Sequence, residues 1–355
     1  FLVYRDFLLF HICIKYLLKM KIYTTLISVL CLTVHADYCI ACIEKESLLV
    51  MFWNLENFFD WKDMGYSDSD REFSSSGNRR WTKNRFYVKR NAVVKSILWT
   101  GELNGRLPDA IGFAEVENAE VVKSLIHSDA LKKYGYGYIH YDSPDPRGID
   151  VALIYRKESL EYLESKSFAV GKMPVVSGHD TISMDFISRD ILYSKFRDMR
   201  NGGQICILVN HHPSKYGGER VSKLKRHSAL ATLKAICDSL ASSGMENIIA
   251  MGDFNDSPGS GVFDILYGNM CSVSDKLYSS GKGTIKFKGK WELIDLFFVS
   301  ENLAGKSEMK ICQIPFLLVQ DSAYSGKKPK RTYSGPIYSG GVSDHCPIVL
   351  SVNDK

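Results

Sequence analysis

Asn247–Pro258 reads NIIAMGDFNDSP, a short run of apolar residues that stops abruptly in acids and amides before a Ser-Pro turn. A run of that length with turn residues at its end predicts a strand buried on both faces, because a helix would need more residues to complete its buried stripe. The same form recurs at Leu48–Trp53, Ala110–Phe113, Val151–Tyr155, Ile205–Val209, Leu293–Val299 and Cys346–Val352. Between them lie segments with helical spacing, Lys83–Trp99, Asn118–Lys132 and Gly218–Ser242. In the last, Val221, Leu224, Leu230, Leu233, Ile236 and Leu240 form an apolar stripe among Lys223, Lys225, Arg226 and Lys234. Strands alternating with helices predict an α/β sandwich with sheets inside and helices outside.

Polar residues gather where the apolar runs stop, the usual place for a site carried on rigid strands. They are MFWNLEN (51–57), GFAEVEN (112–118), VNHHPSK (209–215), MGDFNDSP (251–258) and VSDHCPI (342–348). Asp253 and Asn255 would serve equally well to shape the turn before Ser257 and Pro258. Asp295 is different: flanked by Leu293, Ile294, Leu296 and Phe297, a buried carboxylate there costs several kcal/mol without a partner and requires a cation or a histidine. His345, with Asp344 beside it and an apolar run behind it, is the candidate. A carboxylate that orients an imidazole, next to oxygens able to hold a hard cation, suits phosphate-ester hydrolysis: the water needs a base, the leaving group a proton and the phosphate a counter-charge.

In this order the strings WNLEN, AEVEN, RGIDVALIYR, VNHHPS, GDFND, IDLFFVS and SDHCP resemble the deoxyribonuclease I-like endonuclease/exonuclease/phosphatase superfamily over residues 51–348. The resemblance implies a four-layered α/β sandwich of two packed mixed β-sheets flanked by helices. It implies metal ligation by Asn54 and Glu115 with Asp344 near the same ion, Mg²⁺ or Mn²⁺ as one or two ions. It further implies Asp253 and Asn255 as the pair positioning a nucleophilic water and a phosphate oxygen, and His345, paired with Asp295, as the histidine acting on the phosphate. His211, directly after Val209-Asn210, matches the second histidine of the nuclease and sphingomyelinase branches, with His212 the competing choice. Arg147 matches a phosphate contact or else forms a surface ion pair, and Asp150 has a supporting role. Two positions depart from the pattern: Ala114 stands where many members have Gln, and Glu56 where some repair endonucleases have Asp, which leaves a second metal position open.

The remainder bounds function more loosely. The chain has 355 residues, is 45% apolar and carries a formal net charge of +5, as expected of a globular protein with a large core. Residues 1–36 read as an upstream extension followed by a signal peptide, Met20–Ala36, with Lys21 ahead of an apolar stretch and a small-residue ending at Val34-His35-Ala36. A spanning helix wants about 20 apolar residues, which this run does not reach, so we expect a secreted or periplasmic protein without a stable membrane anchor. Residues 37–45 form a linker and 46–355 a single catalytic domain. Loss of the leader removes Arg5, Lys15, Lys19 and Lys21 against Asp6, so the mature chain is near neutral and its bulk charge selects no partner.

Seven cysteines follow residue 36, an odd number, so they cannot all pair. Cys206, Cys237 and Cys346 fit buried free thiols, and Cys39 and Cys42 fit a local disulfide. Asn78–Arg90 (NRRWTKNRFYVKR) and Lys327–Tyr333 (KKPKRTY) concentrate positive charge among aromatics, which suits a nucleic-acid backbone or another polyanion; the charges of Lys83–Trp99 equally suit a solvated helix face. Ile314–Val319 suits a buried strand or an apolar docking hairpin. The expected function is an endonuclease or phosphodiesterase acting on nucleic acid. The alternatives are a phosphatase or lipid phosphodiesterase of inositol-phosphate or sphingomyelinase type, and an inactive binding protein on the same scaffold. No protein partner is expected.

Overall fold

The computed structural model describes residues 47–177, 180–215 and 218–353. The expected signal peptide and the Cys39/Cys42 pair lie outside the described residues. Twelve strands build two six-stranded sheets: β1 (Ser47–Phe58), β2 (Ala110–Val116), β3 (Tyr136–His140), β4 (Asp150–Arg156), β5 (Leu160–Phe168), β6 (Ile191–Asp198), β7 (Gln204–His211), β8 (Ile248–Asp253), β9 (Met270–Ser272), β10 (Asp295–Ser300), β11 (Ser307–Ile311) and β12 (Ile348–Asn353). The first sheet runs β11-β12-β1-β2-β4-β3 and the second β9-β10-β8-β7-β6-β5. Both are mixed. β1 lies parallel to β2 and β7 parallel to β8, while β2–β4 and β8–β10 are antiparallel.

β1 shows why continuous apolar runs mark this architecture. Leu48, Val50 and Phe52 belong to the core between the sheets, together with Leu153, Leu208 and Ile249. The alternate residues Leu49, Met51, Trp53 and Leu55 belong to a second core beneath helix residues Val93, Ile97, Val121 and Leu125. Successive side chains leave a strand on opposite faces, so a strand covered on both sides must be apolar at every position. The sheets approach closely where side chains are small: a Cβ on Gly112 of β2 would fall 2.6 Å from Met251 Cε of β8. Within the second sheet, a Cβ on Gly252 would fall 2.3 Å from the Asn210 carbonyl oxygen of β7.

Helices cover the outside. α1 (Lys83–Leu103) starts at Thr82, whose side chain accepts from the Arg85 N–H. α2 (Ala119–Ile126) starts at Asn118, which accepts from the Val121 N–H, an N-cap that satisfies an otherwise orphaned donor. α3 (Glu219–Ser242) buries Leu230, Leu233 and Ile236. This is the expected four-layered sandwich.

Several expectations need correction. The helix expected over 118–132 ends at Ile126, and a short 3₁₀ turn follows at Lys132–Tyr134. Val221 stands 45% exposed, outside the buried stripe of α3. Ile314–Val319 forms neither a buried strand nor a docking hairpin: it is a 3₁₀ turn at Pro315–Leu317 running into an edge strand, with Ile314 and Leu317 in the core and Val319 exposed. Trp81 and Phe86, expected among nucleic-acid contacts, are buried, and so is Lys89, expected on a solvated face. No helix among the described residues is long and apolar enough to cross a membrane.

Candidate active site

The polar ends of β1, β2, β7 and β8 meet at one edge of the sandwich. Register does much of the assembly: in the second sheet Asp253 pairs with His211 on one side and with Asp295 on the other. The turn carrying Asp344 and His345 is fastened to β1. Ser343 Oγ donates to the Asn54 carbonyl (2.6 Å), Trp53 Nε1 donates to the His345 carbonyl (2.8 Å), and the His345 N–H donates to Ser343 Oγ (2.9 Å).

Asp295 finds the partner its burial demands: its Oδ2 lies 2.8 Å from His345 Nδ1. His345 Nε2 faces Asp253 Oδ2 at 3.9 Å and Asp344 Oδ1 at 3.8 Å. Burial alone would push the imidazole toward neutrality, but Asp295, Asp344 and Asp253 together hold its pKa well above the ordinary value. His211 has the opposite environment. Its Nε2 lies 3.7 Å from both Glu115 Oε1 and Asp253 Oδ2, yet burial and the nearby Arg189 and Arg147 hold its pKa well below the ordinary value. Asp253 is raised to about 7 by burial, with the charge of Asp295 adding to the effect. Its Oδ2 accepts from Asn54 Nδ2 (3.0 Å) and its Oδ1 from the Asn255 N–H (2.9 Å).

His212, the competing histidine, does not reach these acids. Its ring packs edge-on against Phe254 (4.7 Å), its carbonyl accepts from Asn255 Nδ2, and both of its ring nitrogens lack partners. Arg147 is 43% exposed along its side chain, with Nε 3.6 Å from Asp145 Oδ1. Asp150 accepts from the Ser143 N–H and hydroxyl and faces His140 Nε2 at 3.1 Å, which fastens its own loop.

Two participants, Arg189 and Lys89, had no signal in the sequence beyond their charge. Arg189 is buried and donates to Asp145 Oδ2 (2.9 Å) and to the His212 carbonyl (2.7 Å), so it braces the strand end that carries His211. Lys89 reaches from α1 to the Glu56 carbonyl (2.7 Å) and Thr332 Oγ1 (2.9 Å). Burial lowers its pKa to about 8 against the pull of Glu56, Glu115 and Asp344. Glu56 receives Arg331 Nε and the Thr332 N–H, both at 2.8 Å, and burial with Asp344 nearby raises it to about 7. Arg331, from the basic loop noted above, also binds Asp344 Oδ2 through Nη2 at 2.7 Å.

Asn54, Glu115 and Asp344 present hard oxygen donors, the chemistry of Mg²⁺ or Mn²⁺ sites. Glu115 Oε2 is fixed by the Asn57 N–H (2.8 Å), which leaves Oε1 turned toward the site. Asp344 keeps Oδ1 free of its arginine. Asp253, Asp295 and His345 form a second group close enough to share an ion, and Asp295 Oδ1 is buried without a hydrogen-bond partner. The residues present therefore fit a divalent ion. Backbone strain is concentrated at the same place: Glu56, Asn57, Glu115 and Asn255 all adopt φ between 49° and 60°, a region costly for residues other than glycine and frequent at functional sites.

The chain belongs to the Endonuclease/Exonuclease/phosphatase family, whose sequence profile matches residues 49–354, and with it to hydrolases acting on phosphate esters. No curated protein sequence matches it. Solved structures share the fold. A mannosyl-6-phosphatase from Bacteroides thetaiotaomicron superposes with a TM-score of 0.54 at 17% identity, covering 85% of this chain and 98% of that one. TDP2 from D. rerio, complexed with a single strand DNA product, gives 0.50 at 14% identity, with 87% and 99% covered. The human Nocturnin catalytic domain with a bound sulfate anion gives 0.51 at 14% identity, with 86% and 93% covered.

Proposed function

We propose that this chain is a divalent-metal-dependent phosphodiesterase that cleaves nucleic-acid backbones after export from the cytoplasm. The observation that carries this reading is the meeting of two oppositely biased imidazoles at one carboxylate: His345, held protonated by Asp295, and His211, held neutral, face Asp253 from two sides. Asn54, Glu115 and Asp344 would hold one ion, Mg²⁺ or Mn²⁺, and such an ion supplies positive charge to the phosphate. Both oxygens of Glu56 are already engaged by Arg331 and Thr332, which favours one ion over two.

The chain's own residues then divide the proton transfers. Asp253, poised near neutrality, takes a proton from the attacking water as its oxygen bonds to phosphorus, with Asn255 ordering the carboxylate through its N–H. His345 gives its Nε2 proton to the departing ester oxygen as the phosphorus–oxygen bond breaks, while Asp295 balances the imidazolium. His211 and the half-exposed Arg147 bind non-bridging oxygens. A polyanionic substrate is supported by the loop Lys327–Arg331, whose Arg331 reaches the site at Asp344, and by TDP2, which shares the fold and was solved with single strand DNA.

Hydrolysis of plasmid DNA, RNA, sphingomyelin, an inositol polyphosphate and mannose 6-phosphate, each with Mg²⁺, Mn²⁺ or EDTA, tests the proposal. Metal-dependent cleavage of nucleic acid that His345→Ala lacks is the expected result. Selective turnover of a lipid or a phosphomonoester would reassign the substrate, and a folded protein inert on all five would be a binding protein.

A further inference from the structure

A second cluster of acids lies in a cavity of about 650 Å³ where the exit of β1, the end of β2 and the loop before β4 come together. Asp70 and Glu117 are the deepest of them, 2% and 7% exposed. Each is pinned through one oxygen only. Asp70 Oδ2 accepts from the Met64 and Tyr66 N–H groups, both at 3.0 Å. Glu117 Oε2 accepts from the Asp60 N–H (2.7 Å) and Asn118 Nδ2 (3.1 Å). The other oxygens, Asp70 Oδ1 and Glu117 Oε1, are buried with no hydrogen-bond partner, although the two carboxyls are close enough to interact and Asp60 stands beside them.

Burial raises Glu117 to about 8, so a proton shared with Asp70 is the alternative to a cation, and no basic side chain balances the pair. Among the described residues no lysine, arginine or histidine forms an ion pair with Asp60, Asp70 or Glu117, and the one base lining the cavity, Lys62, is directed to the Trp61 ring. Further acids, Glu120 and Asp142, complete the wall. Two bare carboxylate oxygens turned toward each other repel unless a proton or a cation lies between them. The cavity has room for water to complete a coordination shell, and every donor is oxygen, which selects a hard cation.

We infer that Asp70 Oδ1 and Glu117 Oε1 hold a hydrated hard divalent cation, Ca²⁺ or Mg²⁺, apart from the catalytic centre. Its place is structural. The ion would clamp the short helix Asp68–Glu72 to the end of β2, and Ser67, which caps that helix, donates to the Arg147 carbonyl and so ties the loop carrying Arg147 to the same helix.

Terbium luminescence sensitised by Tyr66, which lines the cavity, reads the site directly in the chelator-treated full chain. Glu115→Gln, which weakens the catalytic ion, should keep the signal, and Asp70→Asn and Glu117→Gln should each weaken terbium affinity by about tenfold or more. Competition by Ca²⁺ or by Mg²⁺ identifies the preferred ion. Unchanged affinity in folded Asp70→Asn and Glu117→Gln overturns the assignment, as does loss of all binding in Glu115→Gln. If neither acid variant folds, melting of Glu115→Gln decides: a Tm that rises with added Ca²⁺ or Mg²⁺ supports the site, and a Tm indifferent to both means that a shared proton bridges the acids.

Discussion

The two walls of the active site solve one problem, a crowd of buried carboxylates, in different ways. On the wall built from the second sheet, Asp253 and Asp295 face imidazoles of opposite bias, His345 held protonated and His211 held neutral. On the wall built from β1 and β2, Glu56, Glu115 and Asp344 are balanced by Lys89 and Arg331. In the proposed mechanism the first wall moves protons and the second holds the ion. A lysine sits wholly buried at the edge of the second wall because its charge offsets that of Glu56, Glu115 and Asp344 while its ammonium bonds the Glu56 carbonyl and Thr332 Oγ1.

The largest expected effect falls on the proton-moving wall. His345→Ala should lower the hydrolysis rate by about 10²–10⁴-fold, the usual worth of a general acid or base, measured as initial rates at saturating substrate; a loss below tenfold would move the proton transfer elsewhere. On the second wall the effect should be on folding. Lys89→Met leaves the Glu56 carbonyl and Thr332 Oγ1 without their buried donor and Glu56 with Arg331 as its remaining cation, which should cost about 1–3 kcal/mol in urea unfolding, and adding Glu56→Gln should recover part of it. Should the double variant be no more stable than the single, the two groups are not coupled.

Arg147→Ala tests the mouth of the site, and should raise KM by roughly tenfold, as for loss of a charged hydrogen bond, with kcat less affected. The subtlest test is titration of the two histidines by NMR in the metal-free protein. His345, raised, should stay protonated well above pH 6.5, so its stabilisation is complete below about 6.5 and is lost as pH rises through its folded value. His211, lowered, should stay neutral below 6.5. There the unfolded chain takes up the proton first, and stability falls as pH drops toward the folded value. Asp295→Asn should move only His345 strongly, and equal shifts in both rings would erase the distinction between them.

Much of this was legible in the sequence because the central strands are covered on both faces: β1, β7, β8 and β10 appear as unbroken apolar runs, and the polar residues at their ends mark one edge of the sandwich. The partner of Asp295 was legible too, since an acid in an apolar run requires one. Strand β5, LEYLESKSF, was not, because most of its residues are exposed or half-buried and its pattern matches a surface segment. Lys89 and Arg189 were hidden for a different reason. A charge within a helix or beside a strand looks the same in sequence whether it meets water or a buried acid, and only the packing of distant segments, Thr332 against Glu56 around Lys89 or His212 and Asp145 on either side of Arg189, distinguishes the cases. The choice between His211 and His212 likewise depends on which side of β7 faces Phe254.

Gly252 sits one residue before Asp253, with the Asn210 carbonyl where its side chain would be. The gap between β7 and β8, and with it the reach from His211 to Asp253, is thus set by an absent methyl group. Position 252 is therefore a dial for the catalytic distance: alanine and then serine should wedge the strands apart in steps, and the response of the rate to each step would calibrate how tightly this chemistry depends on fractions of an ångström.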